Sequence, residues 1–176
     1  MGKATQDLRK EHDAVLHALK IYDDIMSSGP REDSVLLKYY GELVYFLQVF
    51  ADKCHHGKEE EYLFKELTTK GGAREVGFIE LLLDEHKEAR DYVAAMEKAL
   101  ESKDIEALNS NAVKYRDLLR NHIEEENNGI FLMADELLSE DVQDTLFEKF
   151  EDHEETAIGQ GVHEKLHAMI HEWEAL

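Results

Sequence analysis

Residues 54 to 64, CHHGKEEEYLF, and residues 121 to 131, NHIEEENNGIF, carry one arrangement twice: His, three residues, Glu, four residues, Phe. The first copy is His55, Glu59 and Phe64; the second is His122, Glu126 and Phe131. On a helix a four-residue step returns a side chain to the same face about 6 Å further on, so each His-Glu pair can hold one ion or bridge two. The two pairs together make half of a metal site. Alignment on the two phenylalanines selects His55 over His56, and Glu59 over Glu60, as the repeated pair.

The rest of the chain is built to carry such helices. It has 176 residues and one proline, and its glycines gather at a few places. Ala, Leu, Glu and Lys are abundant, a composition that favours helix, and no stretch alternates as a strand does. The length suits one domain, residues 1–176, with a core bundle over about 3–138 and further helices over about 140–175. Forty acidic against twenty basic residues give a formal charge of −20, which disfavours nucleic acid and anionic membranes as partners. A lone cysteine, Cys54, excludes an internal disulfide and reads as a small packing residue. The opening residues MGKATQDLRKEHD lack the apolar run of a secretion signal, and no stretch reaches the roughly twenty apolar residues of a membrane span. A soluble, cytoplasmic protein is expected.

Helix spacing extends the repeat to the other helices. A first helix from about Lys3 to Ser27 carries Leu8, His12, Val15 and Leu19 on one stripe and ends at SSGP. A second, from about Asp33 to the Gly71-Gly72 pair, aligns Leu36, Tyr40, Leu43, Leu47, Ala51, His55, Glu59 and Tyr62. A third, from about Ala73 to Ser102, carries Ile79, Leu82, Leu83, His86, Val93, Met96 and Leu100; a fourth, from about Asp104, carries Leu108, Tyr115, Leu118, Leu119, His122 and Glu126. Ser139 is placed to cap a fifth helix running through Glu155, and Gly159-Gln160-Gly161 separates it from a last stretch, Val162 to Glu174.

Short connections favour antiparallel neighbours, hence an all-α, up-down-up-down four-helix bundle with an additional C-terminal helical segment. Counted along the helical rise, His55 and His86 each lie roughly 20 Å from the turn between their helices. They fall at one level, and His12 and His122 fall close to it. A single buried histidine is more often a hydrogen-bonded core residue than a ligand. Four of them with Glu59 and Glu126 at one depth are different, because burying two carboxylates without a cation costs several kcal/mol per ion. Two carboxylates bridging a pair of ions and imidazoles terminating them suit iron or manganese and, less selectively, zinc.

These residues resemble the hemerythrin-like (HHE cation-binding) domain. The resemblance rests on the order H, H-x-x-x-E, H, H-x-x-x-E over about residues 8 to 140, on CHHGKEE, DEH at 84 to 86 and HIEEEN, and on the FExxE segment at 150 to 154 leading to GQGVHE. It implies a four-helix bundle holding two non-haem iron ions, oxo- or hydroxo-bridged, with His12, His55, His86 and His122 as terminal ligands and Glu59 and Glu126 as bridges. It further implies a centre that binds or reacts with O2, H2O2 or NO, in sensing or in oxidative or nitrosative stress defence.

The chain departs from the family pattern in two places. Lys65 and Leu132 follow the motif phenylalanines where proline is frequent, which alters how the helices end. Arg90 stands where oxygen-carrying members have a second histidine on the third helix, which argues against simple reversible O2 transport and leaves a ligand position open. His56 is the candidate for it, against the alternative of an interhelical hydrogen bond. Glu60 is expected to pair with Lys58 or Arg90 at the rim.

Residues 163 to 167, HEKLH, fit the H-E-x-x-H helix of zinc proteases, but beyond His171 no third ligand is in view and the chain has no strand for a substrate cleft. His163 reads better as a lid or outer group of the metal site. His153, His167 and His171 read as surface or interhelical residues, and Met96, Met133 and Met169 as packing. Peroxidase- or catalase-like turnover, iron sensing or handling, and a metal-free structural bundle remain alternatives, as do a homodimer and a separate protein partner.

Overall fold

Five short breaks divide the chain into six helices. A computed structural model describes residues 1–176 and contains no strand. The helices are α1 (Lys3–Ser27), α2 (33–70), α3 (Ala73–Ser102), α4 (105–137), α5 (Glu140–Ala157) and α6 (Val162–Trp173). The breaks follow from local chemistry. Gly29 and Pro30 fall in the first, and Gly71-Gly72 form the second, where Glu75 accepts a bond from the Gly72 N–H. Lys103 takes up a left-handed conformation (φ 56°) to end α3, and Asp104 then caps α4 by accepting from the Ala107 N–H at 2.9 Å. Ser139 holds the capping position of α5, but its hydroxyl makes no capping bond, and the helix runs two residues past the expected Glu155.

The helices turn in ways that an α-helical stripe does not anticipate. α2 is α-helical over Asp33–Phe46, π-helical over Leu47–His56 and Glu59–Leu63, and α-helical again over Phe64–Lys70; α4 widens likewise over Glu126–Ile130. In both copies of the repeat the phenylalanine N–H donates to the glutamate carbonyl five residues back, Phe64 to Glu59 and Phe131 to Glu126. The five-residue step from Glu to Phe is therefore one wide turn, which brings both side chains to the same face. Without proline after them, both helices continue for seven residues, as Phe64–Lys70 and Phe131–Leu137.

Each of the first four helices runs antiparallel to the next. Arg9, early in α1, meets Asn127, late in α4, while Tyr22 at the other end of α1 meets Asn109. Asp52 and Glu60 of α2 meet Arg90 and His86 of α3 in reversed order.

The apolar side chains form two cores, not one. The larger holds Val15, Leu19, Leu43, Phe50, Val93, Met96, Tyr115 and Leu119; the smaller holds Leu8, Leu63, Phe64, Ile79, Leu82, Ile130 and Phe131. Between them every bundle helix turns polar side chains inward. Leu83, expected on the α3 stripe, is exposed, while its neighbour Leu82 is fully buried.

The C-terminal helices complete these cores. α5 contributes Leu146 and Phe150 to the smaller, and α6 contributes Leu166, Ile170 and Trp173 to the larger. Trp173 packs edge-on against Tyr39 and Phe46 and donates its indole N–H to Glu42 at 2.9 Å. No helix is long and apolar enough to cross a membrane.

Candidate metal centre

The polar layer between the cores consists of His12 and Glu11 from α1, His55, His56, Lys58 and Glu59 from α2, His86 from α3, and His122 and Glu126 from α4, all buried. Two four-donor clusters lie within it, their ligand atoms within 4.8 Å of one another: His12, His55, Glu59 and Glu126 in one, His56, Glu59, His86 and His122 in the other. Glu59 belongs to both. Glu126 reaches His12 Nε2 at 3.0 Å with one oxygen and His122 Nε2 at 3.2 Å with the other. All seven residues expected from the sequence are therefore brought together.

The histidines are aimed by a closed ring of outer partners. Glu11 of α1 lies 2.9 Å from His55 Nδ1 on α2; Glu60 of α2 lies 2.8 Å from His86 Nδ1 on α3. Glu85 of α3 lies 2.6 Å from His122 Nδ1 on α4, and Asn127 of α4 lies 3.0 Å from His12 Nδ1 on α1. Each helix thus orients the histidine of the next, leaving all four Nε2 atoms facing inward. Such partners fix the tautomer and orientation of a ligating imidazole, and a carboxylate partner raises its basicity. His56 stands outside the ring. Its Nδ1 is 3.5 Å from Asp52, and it is held by stacking on His86 with centroids 3.8 Å apart.

The inward atoms are left unsatisfied. His12 Nε2, His55 Nε2, both nitrogens of His56 and all four oxygens of Glu59 and Glu126 are buried without a hydrogen-bond partner. Each such atom costs on the order of 1–3 kcal/mol. Burial, and then the Glu126 carboxylate, push Glu59 well above the usual carboxylate range. Burial and the nearby His12 lower His55 to about 4; burial, then His86 and His122, push His56 down. At His122 burial opposes the charge, but Glu126 and Glu85 outweigh it and raise the ring to about 9. Imidazole nitrogens and carboxylate oxygens converging in an apolar surround are the donor set of a divalent cation, and the residues fit one.

Behind His55 lies a second charged group that sequence spacing did not reveal. Lys58 is fully buried, with Asp7 at 3.0 Å, Glu11 at 2.7 Å and Glu154 at 2.5 Å. Burial disfavours its charge, but Glu11 and Asp7 more than compensate and raise it. Glu11 is buried too, yet the nearby His163, the hydrogen bond with His55 and Lys58 beside it hold it well below the carboxylate range. Glu154 and His163 come from α5 and α6, so the C-terminal helices reach the metal layer through this cluster. Lys58 is consequently not the partner of Glu60, which bonds Arg90 at 2.6 Å; Arg90 also bonds Asp52 at 2.8 Å. Cys54 is buried with its thiol pushed up by burial, 3.7 Å from Glu11, in keeping with a packing role.

The H-E-x-x-H stretch does not form a site of its own. His163 turns to Glu11 at 3.7 Å and stacks on Phe50, Glu164 is exposed, and no cluster of three donors joins His163 to His167. His153 bonds the Lys53 carbonyl across to α2, and His171 pairs with Glu174 on the surface.

The outer ring was missed in the sequence although its signal is there: Glu11, Glu60, Glu85 and Asn127 each sit directly beside an inward residue, His12, Glu59, His86 and Glu126. A neighbour one step round the helix points sideways, toward the next helix of the bundle. Residues 3–134 match the family model of the hemerythrin HHE cation-binding domain. No curated protein and no solved structure matches the chain. With the match spanning most of its length and the paired donor clusters within the matched residues, the chain belongs to the hemerythrin HHE cation-binding domain family.

Proposed function

We propose that the chain holds a non-haem di-iron centre that binds or reacts with O2, peroxide or NO, in sensing or in oxidative or nitrosative defence within the cytoplasm. His12 and His55 would terminate one ion, His86 and His122 the other, with His56 as a further donor to the second and Glu59 and Glu126 shared between them. The observation that carries this reading is the convergence of eight unpartnered buried atoms of His12, His55, His56, Glu59 and Glu126 between the two clusters. A nitrogen-rich set with two carboxylates favours iron over the oxygen-bound hard cations. When bound, iron would supply the redox and ligand-binding chemistry.

The protein's own part is orientation and exclusion of water. The ring Glu11, Glu60, Glu85 and Asn127 aims the imidazoles, while Phe131 stacked on His12 and Phe64 stacked on His86 wall the layer on the side of the smaller core. Turnover in this layer would be turnover at the metals.

The test is to load the chain with iron, reduce it, and record absorption spectra on exposure to O2, NO and H2O2. A near-ultraviolet band after oxidation and a distinct spectrum with at least one of these ligands are expected; no retained iron and no spectral response would contradict the reading. Steady H2O2 consumption abolished in His122→Ala would identify a peroxidase- or catalase-like enzyme, whereas a reversible change without consumption would identify a binding protein.

A further inference from the structure

A cleft of about 240 Å³ opens between α2, α3 and α4, and its wall is mostly apolar, with Leu47, Ala89, Val93 and Ala94 among its lining residues. His56, buried, is among its lining residues. The ring of His56 is 2 % exposed and separates the cleft from His86, on which it stacks. Two observations set His56 apart from the four histidines of the ring. Neither of its nitrogens has a hydrogen-bond partner, and open space lies on its outer side. A buried histidine tied by no hydrogen bond and bordered by a cleft can swing without breaking one, its remaining ties being the stack on His86 and the 3.5 Å approach of its Nδ1 to Asp52.

We infer that the cleft is the access and holding site for small neutral ligands, and that His56 is its inner gate: a displaceable donor whose ring swings into the cleft to open a path to the His86/His122 side. This rests on the di-iron reading.

The charges disfavour anionic guests. Arg90 at the cleft is bonded to Asp52 and Glu60, and Glu97 adds a carboxylate to the lining, so an anion meets no free positive group there. In a chain of formal charge −20 the surrounding field also repels anions. A dry apolar cavity of about 150 Å³ is enough to take xenon, so the cleft has room for a diatomic molecule. Gating by a side chain makes ligand arrival wait on a first-order step, so the observed rate levels off as ligand concentration rises.

The experiment uses the full chain in two forms. Under xenon pressure, the methyl resonances of Ala89 and Val93 should shift in the wild type and not in Ala94→Trp, which places a large ring at the exposed mouth. In the iron-loaded, reduced protein, NO association should level off with concentration; Ala94→Trp should slow it by about tenfold or more, and His56→Ala should restore linear dependence on NO. Azide should associate more slowly than NO in the wild type. Unshifted methyl resonances, an unchanged NO rate in Ala94→Trp, or levelling that persists in His56→Ala would each overturn the inference. Failure of the wild type to retain iron would overturn the di-iron reading instead, and the xenon result would still decide whether the cleft admits small neutral guests.

Discussion

On the His12/His55 side of the centre every group behind the histidines is tied down. Asn127 is held by Arg9 at 3.2 and 2.7 Å, Glu11 by Lys58, and Lys58 by Asp7 and by Glu154 of α5. On the His86/His122 side the outer partners Glu60 and Glu85 are 24 % and 18 % exposed, Glu60 is held by the 40 % exposed Arg90, and His56 is held by stacking with no hydrogen bond. One half is closed beneath the C-terminal helices; the other meets solvent through a cleft. The contrast teaches that a repeat symmetric in sequence is embedded in unequal surroundings, so that one half can hold its geometry while the other admits change.

Breaking the closed half should have the largest effect. Lys58→Met leaves Asp7, Glu11 and Glu154 together without their cation, and removing one partner from a buried charge cluster costs about 3–5 kcal/mol. Urea denaturation should show a loss of that size with and without metal, and a change below about 1 kcal/mol would mean that the closed half is not held as described.

The pH dependence sharpens the comparison next. In the metal-free chain His122 has a folded value of about 9, above its ordinary 6.5, so its contribution is complete below about 6.5 and lost as pH rises through about 9. His163 is raised too, by the Glu11 carboxylate it faces, and acts in the same sense. His55, lowered to about 4, has the opposite sign, but its contribution is already complete above about 6.5. Thermal midpoints of the chelated protein should therefore fall between about pH 6.5 and 9. With metal the trend should vanish or reverse, because ligation requires the neutral imidazole. A metal-free midpoint that rises over this window would contradict the geometry around His122.

Smaller effects separate the two halves of the ring. Glu85→Gln should weaken metal binding by about 10- to 100-fold by removing the carboxylate behind His122, while leaving the His12/His55 donors in place. Competition with a chelator should resolve one weakened and one unchanged site. Arg90→Gln should change stability by less than about 1 kcal/mol, since its partners are open to solvent, and any change in affinity should be confined to the His86/His122 side.

The helices and the inward donors were legible in the sequence because both obey one rule, the return of a side chain to its face after three or four residues. His12, His55, His86 and His122 extend apolar stripes whose spacing fixed their level. The wide turns were hidden for the same reason, although the five-residue step from Glu59 to Phe64 and from Glu126 to Phe131 records them; the widened stretch Leu47–His56 is also what turns adjacent His55 and His56 both inward, since a wide turn rotates each residue by less than the 100° of an α-helix. Lys58 could not be placed, because its partners Asp7, Glu11 and Glu154 are set by the packing of α1 and α5 against α2. The cleft was equally out of reach: it depends on where Ala89, Val93 and Ala94 leave space against α2 and α4, which is a property of the assembled helices.

The central claim is that one chain holds two ions in unequal halves. Mössbauer spectroscopy of the protein loaded with iron-57, alongside elemental analysis, tests it most directly. The account predicts two irons per chain and two quadrupole doublets of equal area, with only one of them altered in His56→Ala. A single iron per chain, or one doublet that shifts as a whole in the variant, would contradict it.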